Sequence, residues 1–424
     1  MARSNLGWLM AGTLLSVWFH HGLFDVACSL TAVWWLGLSL MGRTERWWRQ
    51  GWAIAMAAWW AVMVVRSGFL PDPWASWSVT IPWVRWIFLV AAWQSSVAYL
   101  PETDYRRLRL ALALGLSVAV LECWCQWFWG QGAVGWLLER EPYREGARMW
   151  GTLNRPRIGI TIVHWCWILL CSWLLRDWTR TPWPSMRSLG WPGWSLLATL
   201  LVGATVLITR ERMALLLWGL GWLLVGSMVV WRSAARWWLL GSTTLLLALV
   251  GAWAMAMPSL WERQVLSTLH IMTHVLETSY GQLWEAGWHM GWGSPWWGGG
   301  VHRFREECEL WMRMQPEVWC NLHPHHMWLE IWAESGVVGI VVAMVTLGAM
   351  LRRGWIPRDQ RVGMFAWWGL GVTLVLRCFP LTASTSFFVN WSAGALWLVA
   401  GWWMGERDRA LHRQDSKLRI QSDE

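Results

Sequence analysis

Residues Leu110–Trp129 read LALALGLSVAVLECWCQWFW, an apolar run that carries one carboxylate, Glu122, and no cation. About 20 consecutive apolar residues are what a helix needs to cross the hydrocarbon of a bilayer. Arg106, Arg107 and Arg109 stand immediately before the run. Loops rich in arginine stay on the cytoplasmic side of a membrane, so this pattern reads as a spanning helix with its start inside.

Runs of the same kind recur on both sides of it. Spans are expected near Leu6–Phe19, Leu23–Met41, Gly51–Val65, Thr80–Tyr99, Leu110–Trp129 and Ile158–Leu175. Others follow near Trp194–Thr209, Met213–Trp231, Trp237–Met257, Met327–Leu351, Val362–Phe379 and Phe387–Met404. Twelve spans would use about 240 of the 424 residues. The composition agrees: 56% of the residues are hydrophobic, 14% are charged, and the mean hydropathy is +0.30. A soluble domain carries roughly a quarter charged residues, so a soluble enzyme, a disordered chain and a coiled coil are excluded. The expectation is an all-α integral membrane protein of about twelve transmembrane helices, a single polytopic domain over residues 1–424. No cleavage pattern of small residues precedes Phe24, so the first stretch is expected to be a retained signal-anchor helix. The 49 Trp exceed what two interfacial belts can hold, and the excess reads as compositional bias.

The net charge is 35 − 26 = +9, and Lys417 is the one Lys among the cations. In a soluble protein this balance would suggest nucleic acid; here the arginines sort by loop, and no nucleic-acid partner is expected. Arg43, Arg46 and Arg49 share one loop; Arg106, Arg107 and Arg109 share another; Arg176, Arg180 and Arg187, then Arg232 and Arg236, then Arg352, Arg353, Arg358 and Arg361 follow. Twelve spans with both termini inside place all of them on one face, together with a cytoplasmic tail over 405–424. One long segment, 258–326, then lies outside between spans nine and ten. A connection of that length is a candidate for function. Gly298-Gly299-Gly300 within it reads as a turn or flexible stretch, with no Gly-Lys-Ser/Thr to make it a nucleotide loop.

The densest group of reactive side chains is His323-Pro324-His325-His326-Met327-Trp328-Leu329-Glu330, where the outer segment enters the tenth span. A neutral imidazole there can take a proton from a hydroxyl nucleophile; interfacial histidines that merely face water are the alternative. Zinc is a third option, since His270 and His274 have i, i+4 spacing, but no Cys-x-x-Cys or His-Glu-x-x-His accompanies them. The expectation is no metal and no cofactor. The second group is Thr209-Arg210-Glu211-Arg212, between two apolar runs. Guanidinium groups suit phosphate oxygens; a solvated hairpin with Glu211 as counter-ion is the bland reading. Cys308 and Cys320 are the two cysteines of the outer segment and are a disulfide candidate, because disulfides persist outside the cytoplasm.

These motifs resemble the O-antigen ligase and polymerase superfamily of polytopic bacterial glycosyltransferases. Its late motif, a His and a polar residue before an apolar helix with Glu and Gly-x-x-Gly, is matched by His325, His326, Leu329, Glu334, Gly336 and Gly339. Its mid-chain Ser-Arg-x-Ala is matched by Glu211-Arg212-Met213-Ala214, and its loop element by Tyr280–Trp284 with Pro295 and Gly298–Gly300. Further likeness comes from Gly151–Pro156 and from Ser384–Trp391. The resemblance implies an undecaprenyl-pyrophosphate-linked glycan as donor, a lipid A–core sugar hydroxyl as acceptor and the bilayer lipids as surroundings. It also implies a multi-pass protein of the bacterial inner membrane whose active site faces the periplasm. Metal-independent inverting transfer would use His325 as base and Arg212 on the pyrophosphate, with Arg210, Arg303, Arg305, Tyr280, His326 and His323 binding substrate. Two positions depart from the family: Tyr280 stands where an Arg is usual, so Arg303, Arg305 or Arg210 would take its role, and His326 replaces the usual Asn. An O-antigen polymerase shares the motifs and differs in acceptor. A lipid or glycan transporter is the reading of another class. Transporters often show two related halves and broken helices, neither evident in the sequence, and mid-span charges, for which Glu122 and Arg85, both read near helix ends, are the few candidates.

Overall fold

The computed structural model describes residues 2–144, 146–153, 155–180, 190–230, 244, 248, 251–253, 255–314, 320–356, 365–380, 385–388 and 390–423. Every regular element among them is a helix. In chain order these are α1 (Ala2–Ser16), α2 (His21–Leu40), α3 (Gly51–Ser67), α4 (Pro73–Thr80), α5 (Arg85–Tyr99) and α6 (Glu102–Trp129). Next come α7 (Ala133–Leu137), α8 (Ile158–Arg180), α9 (Gly190–Ile208), α10 (Arg212–Val230), α11 (Pro258–Trp261) and α12 (Ser267–Thr273). The chain ends with α13 (Ser279–Gly293), α14 (Phe304–Met314), α15 (Met327–Gly354), α16 (Phe365–Cys378) and α17 (Asn390–Asp423).

Among the described residues four helical stretches are long and apolar enough to cross a membrane: His21–Leu40, Pro73–Tyr99, Glu102–Trp129 and Met327–Gly354. Shorter apolar helices include Gly51–Ser67, Ile158–Trp173, Leu197–Ile208 and Arg212–Ser227. Most of the expected ninth span, Trp237–Met257, lies outside the described residues, as do Arg187, Arg232, Arg236, Arg358 and Arg361. Helix ends follow local chemistry. Asp72 accepts the Trp74 N–H at 3.2 Å and Pro73 occupies the first position of α4. Helix α6 begins after Pro101 with Glu102 and Asp104 in its first turn and stops at Gly130 in a left-handed conformation.

The chain divides into two compact units. One comprises Met1–Phe24, Leu100–Met272 and Asp359–Arg377. In it α1 packs on α6, and α8 packs on α9 and α10. Glu122 sits here, and it is a cap rather than a mid-span charge: its carboxylate accepts the N–H groups of Val134 and Gly135 at 3.2 and 3.0 Å, the start of α7.

The other unit comprises Asp25–Tyr99, Thr273–Arg358 and Cys378–Glu424. In it α5 packs along α17, α3 along α15, and α13 against α14 and α15. Arg85 is paired with Asp25 at 2.9 Å. At the far end of these helices Arg353 meets Asp408 at 2.6 Å, and Gln94 reaches the same carboxylate at 2.9 Å, tying α15, α5 and α17 together. The expected tail is helical, since α17 runs on to Asp423. Tryptophan fills the core: Trp59, Trp83 and Trp397 pack around Phe387 with ring centroids 5.3–6.3 Å apart. Within the described contacts the indole N–H groups of these three Trp find no hydrogen-bond partner. They act as bulk apolar filler.

Helix α15 is broken, which corrects the expectation of unbroken spans. Gly336 has φ 63° and ψ −160°, a conformation reserved in effect for glycine. Residues Pro295–Gly300 fill the break. The N–H groups of Gly299 and Gly300 donate to the carbonyls of Ala333 and Glu334 at 2.8 and 3.0 Å. Those of Val337 and Val338 donate to Pro295 and Trp296 at 2.8 and 3.2 Å. Backbone groups released inside an apolar helix must find partners, and here the chain supplies them. A Cβ on Gly298 would lie 2.3 Å from the backbone of Glu334 and Ser335, and one on Gly336 would lie 2.6 Å from Trp296. Gly298–Gly300 is thus a docked segment, not a flexible one. Arg66 of α3 donates to the Gly298 carbonyl at 3.0 Å, and Ser76 of α4 to that of Val301 at 2.6 Å.

Candidate functional site

The arginine turn lies between α9 and α10. Ile208 ends one apolar helix and Arg212 begins the next, so Thr209, Arg210 and Glu211 are forced into the turn. Both are buried, and Arg210 adopts φ 58°, left-handed backbone that a non-glycine residue holds only against strain. Its Nη2 donates to Ser259 Oγ at 3.1 Å, and its guanidinium lies 5.9 Å from the Trp127 ring. Glu211 accepts the N–H groups of Gly159 and Ile160 at 2.6 and 3.2 Å and so caps α8. Burial pushes its pKa up to about 7, against the pull of those two N–H groups and of Arg148 and Arg157. Arg212 donates to Ser267 Oγ at 2.7 Å from the first turn of α10.

Further cations gather here. Arg263, which donates to the Gly146 carbonyl, is held below its usual range by burial and by the nearby charges of Arg148, Arg212 and Arg210. Like charges repel, so a set of this kind suits a polyanion that neutralises them. Arg148, Arg263, Ser259 and Ser267 are not singled out from sequence, because each lies far from the turn along the chain and carries no local motif. Glu211 makes the unit sensitive to pH. Its folded pKa of about 7 stands above its ordinary 4.5, so the neutral carboxyl stabilises the fold fully below about pH 4.5. That contribution is lost as pH rises through 7. The thermal midpoint of the detergent-solubilised protein should therefore fall between pH 5 and 8, and Glu211→Gln should flatten the fall.

The histidine loop belongs to the other unit. A core of Leu283 and Ala286 from α13, Phe304 and Cys308 from α14 and Ala333 from α15 holds these helices together, with Cys320 packed on it. Cys308 and Cys320 are bonded, with Cα atoms 5.8 Å apart, which staples the start of the loop to α14. Glu334 fixes the other end of α14, accepting the His302 N–H at 2.9 Å. Glu330, buried, accepts the Phe387 N–H at 2.7 Å and the Ser386 hydroxyl.

Three of the expected residues meet here. The rings of His323 and His325 are 4.1 Å apart, and Tyr280 stands edge-on to His325 at 5.8 Å. His325, like Arg210, has left-handed backbone, φ 55°. His326 does something else: it is the N-cap of α15, its Nδ1 accepting the Leu329 N–H at 3.1 Å. Asn is a favoured cap residue, so a ring nitrogen here does what the family's usual Asn can do. Burial holds the His326 imidazole below its usual pKa. Arg303 turns to Glu306 at 2.7 Å and Arg305 to Glu309 at 2.8 Å; the second pair is solvent-exposed. Asn321, not singled out from sequence, lies 3.0 Å from His325. Among the described residues there is no group of three or more His, Cys, Asp or Glu side chains able to hold a metal ion.

Apolar helices with a buried arginine at one helix junction and histidines at the mouth of another define a multi-pass membrane protein with polar sites at its helix ends. Residues 197–344 match the family model described as O-antigen ligase, which supports the O-antigen ligase superfamily and a glycan-transfer role in O-antigen or polysaccharide assembly. No curated protein matches the chain.

Proposed function

We propose that the chain transfers a glycan from undecaprenyl pyrophosphate to a sugar hydroxyl of lipid A–core, at the periplasmic face of the bacterial inner membrane. The observation that carries this reading is that the O-antigen ligase match, 197–344, contains both the arginine turn and the histidine loop. The acceptor oxygen attacks the anomeric carbon from the face opposite the pyrophosphate. His325 takes the hydroxyl proton as the new C–O bond forms. The bond to the lipid pyrophosphate breaks, its electron pair leaves with the phosphate oxygen, and the configuration inverts. Arg212, at the positive end of α10, and Arg210 meet the charge that develops there. Tyr280 and His323 flank the base on the acceptor side, while Arg303 and Arg305 serve the sugar or phosphate groups at the rim.

A deletion strain tests the reading through its lipopolysaccharide. Loss of all long chains with accumulation of lipid-linked glycan supports ligation; core bearing a single repeat supports polymerisation instead. Twelve spans with both termini inside remain part of the proposal, and reporter fusions after Arg109, His289 and Arg413 should read inside, outside and inside. Arg212→Lys keeps the charge and loses the planar fork. It should lower transfer by about 10²–10³-fold and weaken binding of the lipid pyrophosphate, measured on purified protein with both substrates.

A further inference from the structure

His325 does not stand alone in its loop. The Asn321 carboxamide lies against it, with Nδ2 3.0 Å from the His325 Nε2. The other end of that amide is already engaged: Asn321 Oδ1 accepts the Leu322 N–H at 2.7 Å. An oxygen that accepts from the backbone fixes which way the amide faces, so the atom presented to the imidazole is an N–H donor. Nε2 must then be the nitrogen with the lone pair, and the ring proton sits on Nδ1. An imidazolium carries N–H on both nitrogens and would set two donors against each other at 3.0 Å. Two titratable rings pack against His325, Tyr280 from α13 and His323 from its own loop.

We propose that Asn321 is the positioning residue of the histidine site, holding His325 as the neutral Nδ1–H tautomer with its one basic nitrogen aimed where the acceptor hydroxyl must arrive. The inference rests on His325 as the base of the proposed transfer. The acceptor O–H displaces the amide from Nε2, gives up its proton there, and its oxygen bonds to the anomeric carbon as the pyrophosphate leaves. The resulting imidazolium faces the returning amide N–H as donor against donor, which drives the proton on to water and restores the neutral ring.

The test uses the full-length protein in lipid nanodiscs. Diethylpyrocarbonate modifies only the unprotonated imidazole, so its rate at position 325 against pH, read by tandem mass spectrometry, gives the protonation midpoint without reference to activity. Asn321→Asp replaces the donor by an acceptor with negative charge. The midpoint at His325 should rise by about one pH unit or more, and the acid limb of transfer should move up with it. Asn321→Ala, where water replaces the amide, should shift both in the same direction by less. Equal midpoints in wild type and Asn321→Asp would overturn the inference; if that variant fails to insert, an unchanged midpoint in Asn321→Ala does so. Full transfer by His325→Ala would instead remove the base assignment, while the labelling midpoints still report whether Asn321 controls the ring.

Discussion

His325→Ala should lower glycan transfer by about 10²–10⁴-fold, the usual loss of a general base, in a protein that still inserts and retains its disulfide. The expectation follows from where the ring sits. It is on strained left-handed backbone, between Tyr280 and His323, in a loop stapled to α14 by Cys308–Cys320. The cap of α15 is His326, and the core of Leu283, Phe304 and Ala333 is built from other side chains than His325. The neighbouring ring gives the contrast. His326→Asn keeps an acceptor for the Leu329 N–H and should retain transfer, whereas His326→Ala loses the cap at a cost of about 1 kcal/mol. Transfer measured on these three variants separates base from cap. A dead His326→Asn beside an active His325→Ala would exchange the two roles.

Gly336→Ala should destabilise the second unit by about 3 kcal/mol or more. Two independent penalties combine. The backbone conformation at 336 is one that an L side chain cannot enter without strain, and the new Cβ would lie 2.6 Å from the Trp296 backbone. Relief of either requires Pro295–Gly300 to leave the break in α15, which would strand the carbonyls of Ala333 and Glu334 and the N–H groups of Val337 and Val338. Limited proteolysis of the 295–303 segment and thermal unfolding should both show the loss. Ala at Gly348, in the same helix and with open space around it, should be neutral.

Apolar runs made the helices legible, because a span of membrane length leaves its mark on every residue within it. The run at Leu110–Trp129 falls inside α6, and most other expected spans fall on described helices with shifts of a few residues. The break in α15 was not legible. Gly336 and Gly339 read as the Gly-x-x-Gly of an apolar helix, and the segment that fills the break begins some forty residues earlier, at Pro295. Glu122 read as a candidate mid-span charge because its partners, the N–H groups of Val134 and Gly135, belong to the next helix start. Arg210 and Arg212 could be picked out as neighbours between apolar runs, while Arg148 and Arg263 join them only through tertiary structure. His326 illustrates the limit of residue type as a guide: an imidazole beside another imidazole suggests shared chemistry, yet its ring nitrogen caps a helix.

The most direct measurement is transfer by the purified protein, reconstituted in liposomes with undecaprenyl-pyrophosphate-linked glycan and lipid A–core. The account predicts lipid A–core bearing the glycan through an inverted anomeric bond, one undecaprenyl pyrophosphate released per transfer, with chelator present, and both products lowered by about 10²-fold or more in His325→Ala and Arg212→Ala. Lengthening of the lipid-linked glycan with lipid A–core unmodified, or movement of the donor across the bilayer with no new glycosidic bond, would contradict it.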